Sequence, residues 1–269
     1  MFELDLMELQ SDSAAIRFEA ARRLGDSPNT RTTAALVAAL TDPDTKVQYA
    51  AISSLVKHGD PATLAPIMDR LLASPDSAIW KLIVLGAGLR LRAGLLDLVI
   101  AGDTELSARV RAALDSAEFS AHQRALLARM LGRTADPAHV EWLLAQMDSD
   151  DDVIRTASAD ALGWMGDARA VPTLLAILSA DADHEAVREV AAESLGRLGD
   201  PVAVEALIEA LGHSSEWLRR AAATSLGDLG DRRAIEPLSA LLEDESVVVQ
   251  DAAFEALKKL STDSFTTVL

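Results

Sequence analysis

Residues 187–200 read VREVAAESLGRLGD, and the chain repeats them. They return as IRTASADALGWMGD at 154–167 and as LRRAAATSLGDLGD at 218–231. Weaker copies are IRFEAARRLGD at 16–26 and VQYAAISSLVKHGD at 47–60. The closing Asp residues stand at 26, 60, 167, 200 and 231, so neighbours are 34, 33 and 31 residues apart, with a long gap after Asp60. A period of this length defines a repeat array rather than one globular core. Each unit touches only its neighbours, and the array grows as one elongated body.

Every clear copy reads as two helices. After Asp200, Pro201 opens a first helix whose apolar residues Val204, Leu207, Ile208 and Leu211 follow helical spacing. Gly212 ends it, and Ser214 or Ser215 can cap a second helix that buries Leu218, Ala221, Ala222 and Leu226. We call the first helix of each unit A and the second B. Acidic residues mark the A-to-B turns at Asp42, Asp44, Asp148 to Asp152 and Asp244, where they cap helix B and oppose its dipole. Pro61, Pro137 and Pro201 sit in first turns of A helices, where a missing N–H costs nothing.

The array loses its regularity between about residues 79 and 133. Helical patterns persist at 82–91, 95–100, 106–114 and 123–131, but Gly86, Gly88, Gly94 and Gly102 blur the boundaries. A short amphipathic helix at residues 2–9 can cap the first B helix. The expected organisation is a single solenoid over residues 1–260, its last helix ending near Leu260, followed by a flexible polar tail at 261–269.

Composition narrows the function. Apolar residues are 49% and aromatic residues 4%, an Ala- and Leu-rich mixture suited to close helix packing. The net charge of −17, from 42 acidic and 25 basic side chains, has the wrong sign for a general nucleic-acid binder or for anionic membrane surfaces. There are no cysteines, which excludes disulfides and thiolate chemistry. With no signal sequence or spanning segment read in the chain, a cytoplasmic location is expected.

The unit [VIL]-R-x-x-A-A-x-x-L-G-x-x-G-D, followed by an A-[VI]-x-x-L helix, resembles the HEAT-repeat superfamily, and more narrowly its phycobilisome lyase type. The resemblance implies an all-α, right-handed α-solenoid of about seven or eight helical pairs, with B helices lining a concave face. It also implies that the Arg early in helix B, here Arg17, Arg155, Arg188 and Arg219, forms a ladder with acids of the A–B turns. Gln48 and Gln250 depart from that pattern. Relatives of this type include bilin lyases, so the resemblance carries an alternative reading as a chromophore-handling subunit, with a bilin as the only cofactor and a second HEAT-like chain as partner.

The residues themselves show no catalytic constellation. The histidines at 58, 122, 139, 184 and 213 lie in different units, and one His-Glu pair, His184 with Glu185, cannot build a symmetric metal site. No catalytic residue, metal ligand or cofactor is expected on the leading reading. What remains is a stripe on the B helices, one residue past the recurring Arg and then four and eight further on. It carries Phe18, Tyr49, Lys57, Arg129, Arg133 and Trp164 in its first part and Glu189, Glu193, Asp251 and Glu255 later. Exposed aromatic and Arg side chains are typical interface anchors. The chain therefore reads as a non-enzymatic protein-interaction scaffold, with those six residues as the candidate contact surface and an acidic segment of another protein as the partner.

Overall fold

The structure is a computed structural model that describes residues 2–74, 78–85, 93–96, 104–116, 118–134, 136–180 and 183–266. The described residues are helical with short connections and contain no strand. The chain divides into two compact units, residues 1–134 and 135–269.

In the first unit, α1 (Phe2–Glu8) lies on α2 (Ala14–Leu24), and α3 (Thr30–Ala39) pairs with α4 (Thr45–His58). Then follow α5 (Leu64–Leu72), α6 (Ala78–Leu85), α7 (Thr104–Leu114) and α8 (Ala121–Arg133). The expected helices at 82–91 and 95–100 fall mostly outside the described residues. The second unit holds α9 (Val140–Gln146), α10 (Asp152–Met165), α11 (Val171–Ser179), α12 (Glu185–Leu198), α13 (Val204–Ala210), α14 (Glu216–Leu229), α15 (Ile235–Ala240) and α16 (Val247–Thr266). The B helices α10, α12, α14 and α16 stack in succession, each flanked by its own A helix.

The local chemistry follows the repeat. Gly199 sits at φ 72°, a left-handed conformation that closes helix B at little cost for Gly alone. Asp200 then caps the next turn, its carboxylate accepting the Val202 N–H at 3.0 Å. A helices that follow such a Gly-Asp pair therefore open with one 3-10 turn, as at Pro201–Ala203, before the α-helix proper. Val187, Ala191, Ala192 and Leu195 are fully buried in α12, as are Leu218, Ala222 and Leu226 in α14.

Three expectations need correction. Gly25 does not close α2 in the manner of Gly199: its φ is −60° and it lies against Ser54, as Gly196 lies against Ser225. The first copy thus lacks the last turn of its B helix, and its true offset to the second copy is the 31 residues from Arg17 to Gln48. Ser215 makes no side-chain cap on α14; His213 Nδ1 accepts the Ser215 N–H at 3.0 Å instead. The last helix continues past Leu260 to Thr266, because residues 261–266 contain neither Gly nor Pro to stop it. No helix among the described residues is long and apolar enough to cross a membrane.

Candidate functional site

B helices meet through small residues. Ser194 Oγ donates to the Ala159 carbonyl at 2.8 Å, and Ser225 Oγ donates to the Ala192 carbonyl at 2.9 Å. Ser54 makes the same bond to Ala21 at 2.9 Å. Opposite each serine is a glycine with no room for a side chain: a Cβ on Gly196 would lie 2.6 Å from Ser225 Oγ and 2.9 Å from Ser225 Cα. The Leu-Gly and Ser positions of the repeat are thus two halves of one junction.

The recurring Arg completes it. Arg17 grips Asp42 through two hydrogen bonds of 2.7 and 2.9 Å, and Arg219 grips Asp244 at 2.8 and 2.9 Å. Arg155 pairs with Asp183 at 2.8 Å and also with Asp152. Arg188 donates to the Leu178 carbonyl at 3.1 Å and contacts His213 Nε2 at 3.2 Å, where the other turns place an acid. Gln48 and Gln250 reach back instead to the carbonyls of Asp42 and Asp244. Hydrogen bonds from the guanidinium partners hold the Asp42 and Asp244 carboxyls below the usual carboxylate range. Arg124 stands at the same register in α8, seven residues before the Leu131-Gly132 pair; that spacing is a signal the sequence reading passed over.

The stripe one residue on is solvent-facing to varying degrees. Phe18 and Tyr49 are half-buried, as are Arg129 and Arg133. Lys57 is exposed but bonded to Asp26, and that bond lowers the Asp26 carboxyl. Trp164 is 46% exposed, with the Arg197 guanidinium 5.2 Å from its ring centre. Arg197 also bonds Asp160 at 2.8 Å, so one arginine spans from α12 to an indole and a carboxylate of α10.

A second Trp–Arg contact lies within α14. Arg220 lies 5.7 Å from the Trp217 ring and bonds Glu189 and Glu193 at 3.0 Å each. Trp217 is 51% exposed. It was not among the candidates, although three residues before Arg220 on a helix is the same face. Trp80, by contrast, is a core residue: its Nε1 donates to the Leu71 carbonyl at 2.7 Å and its ring meets Phe119 edge-on. Among the described residues no group of His, Asp and Glu is placed to hold a metal. His184 caps α12, accepting the Ala186 N–H at 3.2 Å.

Stacked helical pairs with an Arg–acid ladder and a variable exposed stripe define an α-solenoid of the armadillo kind. A family model for HEAT repeats matches residues 5–84, 107–186 and 177–258. The chain belongs to the HEAT-repeat family. Among curated proteins no sequence matches it. Solved structures similar to it include Escherichia coli YibA, 15% identical over 95% of this chain and 92% of that one, at TM-score 0.52. Looser similarities are to human deoxyhypusine hydroxylase in complex with glycerol, 19% identical over 85% and 84% of the two chains at TM-score 0.43. The complex of CpcE and CpcF of phycocyanin lyase from Nostoc is 21% identical over 97% and 94% at TM-score 0.40. At these identities the likeness concerns the fold alone.

Proposed function

We propose that this chain is a non-enzymatic protein-interaction scaffold that takes its partner on the exposed faces of its B helices. The observation that carries this reading is Trp164: a large apolar side chain, 46% exposed and braced by Arg197, on a helix whose other recurring positions are occupied by stacking. Rigid, partly exposed Trp and Arg side chains give interfaces much of their energy. Phe18, Tyr49, Lys57, Arg129 and Arg133 are the corresponding candidates in the first unit. An acidic segment arriving there has to compete with Asp26 for Lys57.

The test is a quantitative pull-down from native lysate. Wild type is compared with Trp164→Ala, with the pair Arg129→Glu and Arg133→Glu, and with Val202→Ser, a control at an exposed apolar residue of an A helix. The stripe variants lose partners that the control keeps. Equal recovery by all four proteins contradicts the assignment of the B-helix face.

A further inference from the structure

The second unit's B-helix face is unbalanced in charge. Asp160, Glu189, Glu193, Asp228, Asp251 and Glu255 stand against Arg197, Arg220 and Lys259 of the stripe and Lys258 beside it, which pairs with Glu255 at 3.2 Å: six carboxylates to four cations. The three stripe cations are each bonded across a helix–helix groove: Arg197 to Asp160, Arg220 to Glu189 and Glu193, and Lys259 to Asp228 at 2.6 Å. A single arginine thus serves two glutamates, and the face keeps a surplus of negative charge. Trp164 and Trp217 rise from it, each roughly half exposed, and Val248 adds an apolar side chain 43% exposed at the register of Trp217.

We propose that this face receives a cationic segment of a partner protein, with Lys or Arg side chains interspersed with apolar ones. The cations meet the surplus carboxylates, and their aliphatic stems and the apolar residues cover the exposed indoles. Three considerations select this sign. An anionic segment meets six carboxylates and finds every cation of the face already bonded, so each new pair costs an existing one. The chain's charge of −17 draws cations towards it from a distance. The indoles are held by their arginines before any partner arrives, which limits the ordering cost of binding.

The inference rests on the B-helix reading and narrows it. The probe is a short synthetic peptide of Lys, Leu and Gly, with a Glu-for-Lys version as its opposite, titrated by calorimetry at low and near-physiological salt. Expected is binding of the Lys peptide to wild type at least ten times tighter than to Trp164→Ala with Trp217→Ala, a variant of unchanged charge. Glu189→Gln with Glu193→Gln also weakens binding, whereas Glu209→Gln with Glu236→Gln, both at exposed A-helix positions, does not. Circular dichroism of each variant checks that it folds. Equal binding to the Trp variant and wild type reduces the effect to diffuse attraction by a polyanion and overturns the proposal. Preference for the Glu peptide overturns it as well. If lysate partners depend on Trp164 while the Lys peptide fails to discriminate, the interaction face stands and its charge assignment falls. If neither depends on the tryptophans, both fall.

Discussion

The two units build the same junction with different fidelity. In the second unit, Gly163 faces Ser194 and Gly196 faces Ser225, and Gly227 lies against Ala256. Among the described residues of the first unit, the Gly–Ser junction is seen between Gly25 and Ser54, and α4 does not continue it. In α4 the slots that hold Ala192 and Gly196 in α12 hold Ile52 and Val56. The small residue has moved to the other side, where Gly94 lies against the Val56 side chain. At α16 the same two slots hold Phe254, 58% exposed, and Lys258. The lesson is that the repeat motif specifies how one B helix receives the next. Where Ala and Gly persist, B helices pack backbone to backbone; where they become Ile and Val or Phe and Lys, that geometry stops.

The largest effect should come from Leu195→Asp and its first-unit counterpart Leu55→Asp, both at fully buried positions. Each places an unpaired charge in a packed stack and should cost upwards of about 4 kcal/mol in chemical denaturation. If Leu55→Asp left the second unit's melting unchanged while Leu195→Asp abolished it, the two units would prove to unfold independently.

Breaking the ladder comes next. Arg219→Ala removes one member of a pair whose side chains are each 7% exposed, and should cost roughly 2–3 kcal/mol. Because Asp244 is held below its ordinary range by Arg219, its stabilising contribution is complete above the unfolded carboxylate range and disappears as pH falls through the lower folded value. The stability difference between wild type and Asp244→Asn should therefore shrink on acidification, as followed by urea unfolding at several pH values. A difference independent of pH contradicts the ion-pair account.

The junction itself predicts an inversion. Ala is worth about 1 kcal/mol more than Gly inside a helix. Gly196→Ala should nonetheless destabilise by about 1–3 kcal/mol, since the new Cβ meets Ser225 backbone. Phe254→Ala, at a slot with 58% exposure, should stay within about 0.5 kcal/mol. Smallest of all is Arg169→Ala: its pairs to Asp167 and Glu141 lie at the surface, with the side chain 45% exposed, and its melting temperature should shift least of the series.

Much of this was legible in the sequence. Apolar spacing and Gly-Asp punctuation gave the helical pairs, and the HEAT-repeat resemblance implied the ladder at the recurring Arg, because both depend on contacts at fixed offsets within one repeat or between neighbours. Gly25 was misread because sequence shows a Gly-Asp pair but not its backbone angle, and only φ separates a closing glycine from a stacking one. The pairing of the stripe's charges was not legible for another reason. Arg197 meets Asp160 across 37 residues and Arg220 meets Glu193 across 27, so the pairing depends on helix offsets that composition does not contain. By sequence alone Trp217 fits a core or rim position as well as a binding one, since it precedes the repeating Arg rather than following it.

The central claim is a division of labour: the recurring Arg, Gly and Ser hold repeats together, while the neighbouring stripe meets a partner. Partner recovery by Arg219→Ala and by Trp164→Ala with Trp217→Ala, measured at a temperature where both remain folded, tests it most directly. The account predicts full recovery by Arg219→Ala, despite its lower melting temperature, and loss of partners from the tryptophan variant at unchanged melting temperature. Loss of partners from folded Arg219→Ala, with full recovery by the tryptophan variant, would contradict it.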